Sequence, residues 1–128
     1  MKFKWYKGLP FVAIKLDVEG VEIEFGNALI DTGSALSLFS IDKLLDNGLG
    51  AKQTDIIVEM VGIGGTEHVF QREINAVQIA ASHIANPVVQ FGEMDYGFEI
   101  DGIIGSDLLS KISAVIDFGC DSICSDSQ

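Results

Sequence analysis

A chain of 128 residues has room for one ordinary domain, and 48% apolar with 21% charged residues is a folded, globular balance rather than a disordered one. Nineteen acidic against eight basic side chains give a formal charge of −11, which repels phosphate backbones and anionic lipid, so no nucleic acid and no membrane is expected as a partner. No apolar run is long enough to span a bilayer, and the start "MKFKWYKGLPFVAIK" lacks the continuous apolar region of a signal peptide, so a cytoplasmic location is expected. Two cysteines, Cys120 and Cys124, make no secreted disulfide framework and read as free thiols.

Along the chain, "FVAIKLDV" is rich in branched residues and partly alternating, as in a strand. Glu19 and Gly20 make a turn, and "VEIEF" alternates cleanly, so the two form a hairpin. Gly26 and Asn27 break the pattern before "ALID", marking an extra bend. After a "DTGS" turn, "ALSLF" reads as a strand, and Ser40 caps a short helix, "IDKLLDNG", that Gly48 ends. "TDIIVEMV" and "TEHVFQREI" are strands joined through "GIGG", and "NAVQIAA" and "PVVQF" are shorter strands. A polar loop, "GEMDYGFEIDG", leads to the brief apolar "IIG". A second short helix, "SDLLSKI", takes Ser106 as its cap, and "SAVIDF" closes the chain as a strand. The expectation is a single, mostly β domain over residues 1–128, with two short helices and no linker or repeat.

The chemistry is concentrated in "ALIDTGSALS", residues 28–37. A carboxylate at the end of an apolar strand is costly to desolvate unless its neighbours compensate. Thr32 can donate and accept hydrogen bonds, Gly33 permits a tight turn, and the small Ser34 lets another chain approach closely. Asp-Thr-Gly-Ser thus builds a rigid loop that displays Asp31. Two further features lie downstream: the glycine-rich hairpin "VGIGGTEHV", and "DGIIGSDLL", in which two branched apolar residues precede a glycine and a helix.

In that order, these three features resemble the retropepsin-like aspartic proteases, over about Leu9 to Gly119. The length between "GIGG" and "IIG" suggests a cellular or bacterial relative. The resemblance implies a closed β barrel with a flap hairpin, working as a symmetric homodimer. It implies that Asp31 is catalytic and that Thr32 makes cross-subunit hydrogen bonds locking two active-site loops together. Gly33 would lie beside the substrate backbone, Ile63, Gly64 and Gly65 would sit on the flap, and Ile103 and Ile104 would line the pocket region. The implied partner is a peptide or protein substrate.

Such cleavage needs two carboxylates sharing a proton: one activates a water, the other hydrogen-bonds the carbonyl. This chain holds one D-T-G; Asp101-Gly102 and Asp117-Phe118-Gly119 lack the intervening hydroxyl residue. If Asp31 is catalytic, the second carboxylate must come from a second copy. Dimerisation doubles the charge of −11, so activity is expected to favour high salt or the mildly acidic range where carboxylates begin to protonate, about pH 4–5. The polar end "CDSICSDSQ" reads as a poor interface strand, and the start "MKFKWYKGLPF" as a better one.

No cofactor and no metal are expected. Glu93, Asp95, Glu99 and Asp101 lack the spacing of a calcium loop, and His68 and His83 have no third zinc ligand in view. "GIGG" is not followed by a helix, so it is no nucleotide loop, and Ser34 has no triad around it. The alternative to an aspartic endopeptidase is a non-catalytic peptide-binding or dimerisation module on the same fold.

Overall fold

A computed structural model describes residues 1–62, 65–95 and 99–125. Its strands are β1 (Lys4–Tyr6), β2 (Leu9–Val18), β3 (Val21–Ile30), β4 (Leu38–Ser40), β5 (Ile56–Gly62), β6 (Gly65–Glu73), β7 (Ala76–Ile79), β8 (Ser82–Ala85), β9 (Val88–Gly92), β10 (Gly102–Ile104), β11 (Ala114–Asp117) and β12 (Ser122–Ser125). Two short helices, α1 (Ile41–Asp46) and α2 (Ser106–Lys111), come after β4 and β10. Among the described residues no helix is long and apolar enough to cross a membrane.

The β2–β3 hairpin is the spine. Glu19 and Gly20 both take positive φ, 54° and 83°, the left-handed geometry that two-residue hairpin loops use to match strand twist. On β3, Ile23 and Phe25 are buried, and so are Ala28 and Ile30. The inward phase therefore shifts by one residue between Phe25 and Ala28. The pairing register says why: Ile14 opposes Phe25 and Val12 opposes Ala28, so Ala13 faces both Gly26 and Asn27. This is a bulge, which bends a strand and re-aims the side chains beyond it. The interruption read at Gly26 and Asn27 does not end the strand. It turns Ala28 and Ile30 inward and leaves Leu29 and Asp31 for the opposite face.

Ten strands form one sheet, in the order β5-β6-β9-β4-β10-β3-β2-β7-β8 with β1 added on β2, and β11 pairs with β12 in a second, small sheet. The expected closed barrel is not what the pairing gives. Among the described residues the path runs open from β5 to β8. The second edge of β2 is divided between β1 and β7. The β5–β6 hairpin joins the rest only where Phe70–Glu73 meet β9, leaving β5 as an edge with Ile56 and Ile57 exposed.

The core lies on one face, where Phe25 stacks edge-on to Phe39 with ring centroids 5.3 Å apart, and Phe39 lies 6.3 Å from Phe91. Leu44 of α1 and Leu108 and Leu109 of α2 complete it. Ser40 holds the cap position of α1 in extended conformation without a side-chain hydrogen bond to the helix. At α2 the cap position belongs to Gly105, not to the expected Ser106. The "ALSLF" strand shrinks to Leu38–Ser40. The polar tail, expected to be a poor interface strand, pairs within the chain with its own start: Phe3 N–H donates to Asp121 O at 2.7 Å, and Ile123 N–H to Met1 O at 2.9 Å. Cys120 and Cys124 are free and exposed.

Candidate active site

Strand β10 lies between β3 and β4, parallel to the first and antiparallel to the second. The chain leaves β3 at Ile30, crosses the end of β10 through residues 31–37, and returns as β4. The segment holding Asp31 is therefore a bridge over the point where β10 becomes α2. Gly105 occupies that point because nothing larger fits: a Cβ there would lie 2.6 Å from Ser34 O and 2.9 Å from Leu36 O. Both are backbone atoms, so no side chain could yield to make room.

Hydrogen bonds fix the bridge at each end. Asp31 N–H donates to Ile104 O at 2.9 Å, and Ser106 N–H to Ser34 O at 2.8 Å. Ser34 N–H closes the turn onto Asp31 O at 3.2 Å, and the Ser34 hydroxyl donates to Leu36 O at 2.7 Å. Ser37 is the far anchor and is wholly buried. Its hydroxyl accepts from Gly105 N–H at 2.9 Å and donates to Asp107 Oδ1 at 2.6 Å. Its own N–H donates to Asp107 Oδ2 at 3.0 Å.

Within this frame Asp31 is half-buried and Thr32 and Gly33 are exposed. Asp31 Oδ1 accepts from Gly33 N–H at 3.0 Å. Its other oxygen takes no hydrogen bond from the described residues. The open oxygen can meet a water or another acid. Among the described residues no three His, Cys, Asp or Glu side chains gather as a metal site.

Ile103 and Ile104, expected together in the pocket, lie on opposite faces. Ile103 opposes both Leu29 and Leu38 and is half-buried, on the face that Asp31 shares. Ile104 is fully buried in the core, so it supports the loop from beneath through its carbonyl and does not line a pocket. Ile63 and Gly64 lie outside the described residues. Gly65 opens β6 opposite Gly62 at the end of the long hairpin. Ser37 and Asp107 were not singled out in the sequence; only the polar "S" inside "ALSLF" and the acid in the first turn of "SDLL" could have signalled them.

Two more carboxylates flank the site's supports. Asp101 accepts from Asn27 N–H at 3.0 Å while donating its own N–H to Asn27 O at 3.1 Å, tying the start of β10 to the bulge. Burial pushes its pKa up against these bonds and the charge of Lys43. Asp55 is held bidentately by Arg72, Nε to Oδ1 at 2.7 Å and a terminal nitrogen to Oδ2 at 2.6 Å. The same Arg72 nitrogen donates to Gly50 O at 2.6 Å. Burial would raise the pKa of Asp55, but the hydrogen bonds from Arg72 and Lys52 N–H outweigh it and hold the carboxyl below its ordinary value.

The structure thus brings together an acid on a hydrogen-bonded bridge between β3 and β4, an apolar-apolar-glycine strand beneath it and a long hairpin. Comparison by family agrees: a profile of the aspartyl protease family matches residues 14–108. The chain belongs to that family. A comparison with curated proteins finds no match.

Proposed function

We propose that the protein is an aspartic endopeptidase whose site is completed by a second copy of the chain, Asp31 from each facing the other across the twofold axis. The observation that carries this reading is the bridge itself, which holds Asp31 away from the core with one oxygen bonded to Gly33 N–H and the other open. Two such acids at close range share one proton, and their titration belongs to the pair. The ionised carboxylate takes a proton from a water as its oxygen attacks the scissile carbonyl carbon. The protonated partner hydrogen-bonds the carbonyl oxygen and transfers its proton there. The tetrahedral diol then collapses: the C–N bond breaks, the amine nitrogen is protonated, and the pair regains its single shared proton.

In this reading the peptide lies extended along the Leu29–Ile103 face, with Thr32 and Gly33 at the dimer contact and Ile63, Gly64 and Gly65 above the substrate. The termini that viral relatives interleave between subunits are here joined within one chain. That leaves Trp5 and Phe118, 47% and 63% exposed with rings 5.8 Å apart, as apolar surface for a second copy.

The test is Asp31→Asn across a peptide library, at several protein concentrations and from acid to neutral pH. Cleavage should fall by roughly 10²–10⁴-fold with melting temperature and dimerisation retained. A peptide carrying a tetrahedral hydroxyl in place of the scissile carbonyl should inhibit the wild type. Peptide binding without cleavage, insensitive to this substitution, would establish a non-catalytic binding module instead.

A further inference from the structure

Gln90 does not fit the wall it stands in. It is 1% exposed on β9, and its Oε1 is buried with no hydrogen-bond partner. Its neighbours Val89 and Phe91 point into the core. Alternation therefore places Gln90 and Gly92 on the opposite face. A Cβ on Gly92 would meet Val69 Cγ1 at 2.9 Å and Leu38 Cδ1 at 3.3 Å, so Leu38 and Val69 converge on that face. Both are buried, yet neither belongs to the main core cluster. Leu38 opposes Gln90 on one side and Ile103 on the other, and Ile103 opposes Leu29, two residues before Asp31. One apolar surface thus runs from the bridge to Gln90, with a single unmet acceptor at its end.

We propose that Gln90 is a specificity-determining residue, its amide forming the floor of a side-chain subsite that selects a neutral donor: Asn, Gln, Ser or Thr of the substrate. The inference rests on the catalytic reading of Asp31. An aliphatic substrate side chain would leave Oε1 unmet, whereas an N–H or O–H would satisfy it. A lysine or arginine would be stripped of water beside Leu38, Val69 and Ile103 with no counter-charge. The pairing of the hairpin gives access. β6 pairs with β9 only from Phe70 onward, so Val69 packs against Gly92 by its side chain alone and can move without breaking that ladder. A cavity of about 390 Å³ lies beside this face, lined by Ile41, His68, Val69, Phe70, Gly92 and Glu93, with Gln90 behind Val69 and Gly92 and not in its wall.

The test is cleavage profiling of the full chain on a peptide library, comparing wild type, Gln90→Leu and Gln90→Met, with Asp31→Asn as the blank. Wild type should prefer Asn, Gln, Ser or Thr at one position near the cut, on the order of tenfold or more over Val and Leu. The apolar variants should reverse that preference at the same position. They should melt no lower than wild type. An unchanged profile, or a loss spread evenly over all peptides by whichever variant folds, overturns the subsite and leaves the catalytic reading standing. Absence of cleavage by wild type overturns both.

Discussion

Ser37 and Asp107 are seventy residues apart in sequence and share two hydrogen bonds, hydroxyl to Oδ1 at 2.6 Å and N–H to Oδ2 at 3.0 Å. The pair joins the end of the Asp31 bridge to the first turn of α2, and nothing in it touches the reacting groups. In the proposed enzyme its role is positional. Asp107→Ala leaves a buried N–H and hydroxyl without their acceptor, which should cost about 1–3 kcal/mol of stability. It should also lower kcat by about 10²-fold, since small misplacements of reacting groups have effects of that size. Asp107→Asn keeps one acceptor oxygen and should recover part of both. Denaturant titration and kcat on a single peptide would check this; a fall in stability with kcat unchanged would show that the bridge holds Asp31 without the pair.

The bulge at Gly26 and Asn27 sets which face Asp31 occupies. Strict alternation from Ile23 and Phe25 would carry positions 27, 29 and 31 inward and drive the carboxylate into the core. Deleting Asn27 leaves Gly26 alone opposite Ala13, and regular alternation then still carries Ala28 and Ile30 inward and Asp31 outward, so the variant should fold and keep its activity. Asn27→Ala should be mild, within about 1 kcal/mol, because only the backbone of Asn27 meets Asp101. Circular dichroism and cleavage of the two variants separate backbone phase from side-chain identity. A deletion variant that unfolds or loses cleavage would show that the bend of the bulge, and not only the phase of the strand, is needed to place Asp31.

These two relationships show what a sequence can and cannot reveal. The β2–β3 hairpin was legible because ten-residue strands display their period and Glu19-Gly20 is a recognisable turn. The interruption at Gly26 and Asn27 was visible too, but its meaning as a phase shift depends on Ala13 across the ladder. The β7–β8 hairpin was hidden because its turn uses Ala80 at φ 54° without glycine or proline. Ile103 and Ile104 could not be told apart, since a three-residue strand carries no readable phase. β12 was not read as a strand of the domain itself, because its one large apolar residue, the fully buried Ile123, meets its partner only at the other end of the sequence. Asp31 stood out through its local motif, whereas Ser37, Gln90 and Asp107 acquire their surroundings only through long-range pairing.

Asp101 gives a pH dependence with a definite sign. Its folded pKa is raised above 3.8 by burial, so between that value and the folded one the native state holds more proton than the unfolded chain. Stability from this group therefore falls as pH rises through the window and is greatest at its acid end. Asp101→Asn, which can still accept from Asn27 N–H, should flatten the change in melting temperature between about pH 4 and pH 7. An equal slope in wild type and variant would assign the pH dependence elsewhere.

Asp55 acts in the opposite direction. Its carboxyl is 1% exposed, and the Arg72 side chain that grips it is 9% exposed and lies over the Phe91 ring at 5.6 Å. With the folded pKa held below 3.8, the unfolded chain binds the proton more readily. The stabilisation is complete above that unfolded value and is lost as pH falls through the folded one. The two groups thus act on opposite sides of the ordinary carboxylate value, Asp55 contributing fully above it and Asp101 below it. Asp55→Asn strands the guanidinium in the interior and should cost about 3–5 kcal/mol, whereas replacing both, Asp55→Leu with Arg72→Met, should be close to neutral. The double variant should also lose the acid limb of the stability profile, because no buried carboxylate remains there to protonate. Urea midpoints for wild type, Asp55→Leu, Arg72→Met and the double variant, measured from pH 3 to 7, give both the coupling energy and its pH dependence; a coupling that persists unchanged at the lowest pH would mean that the pair is not what limits stability in acid.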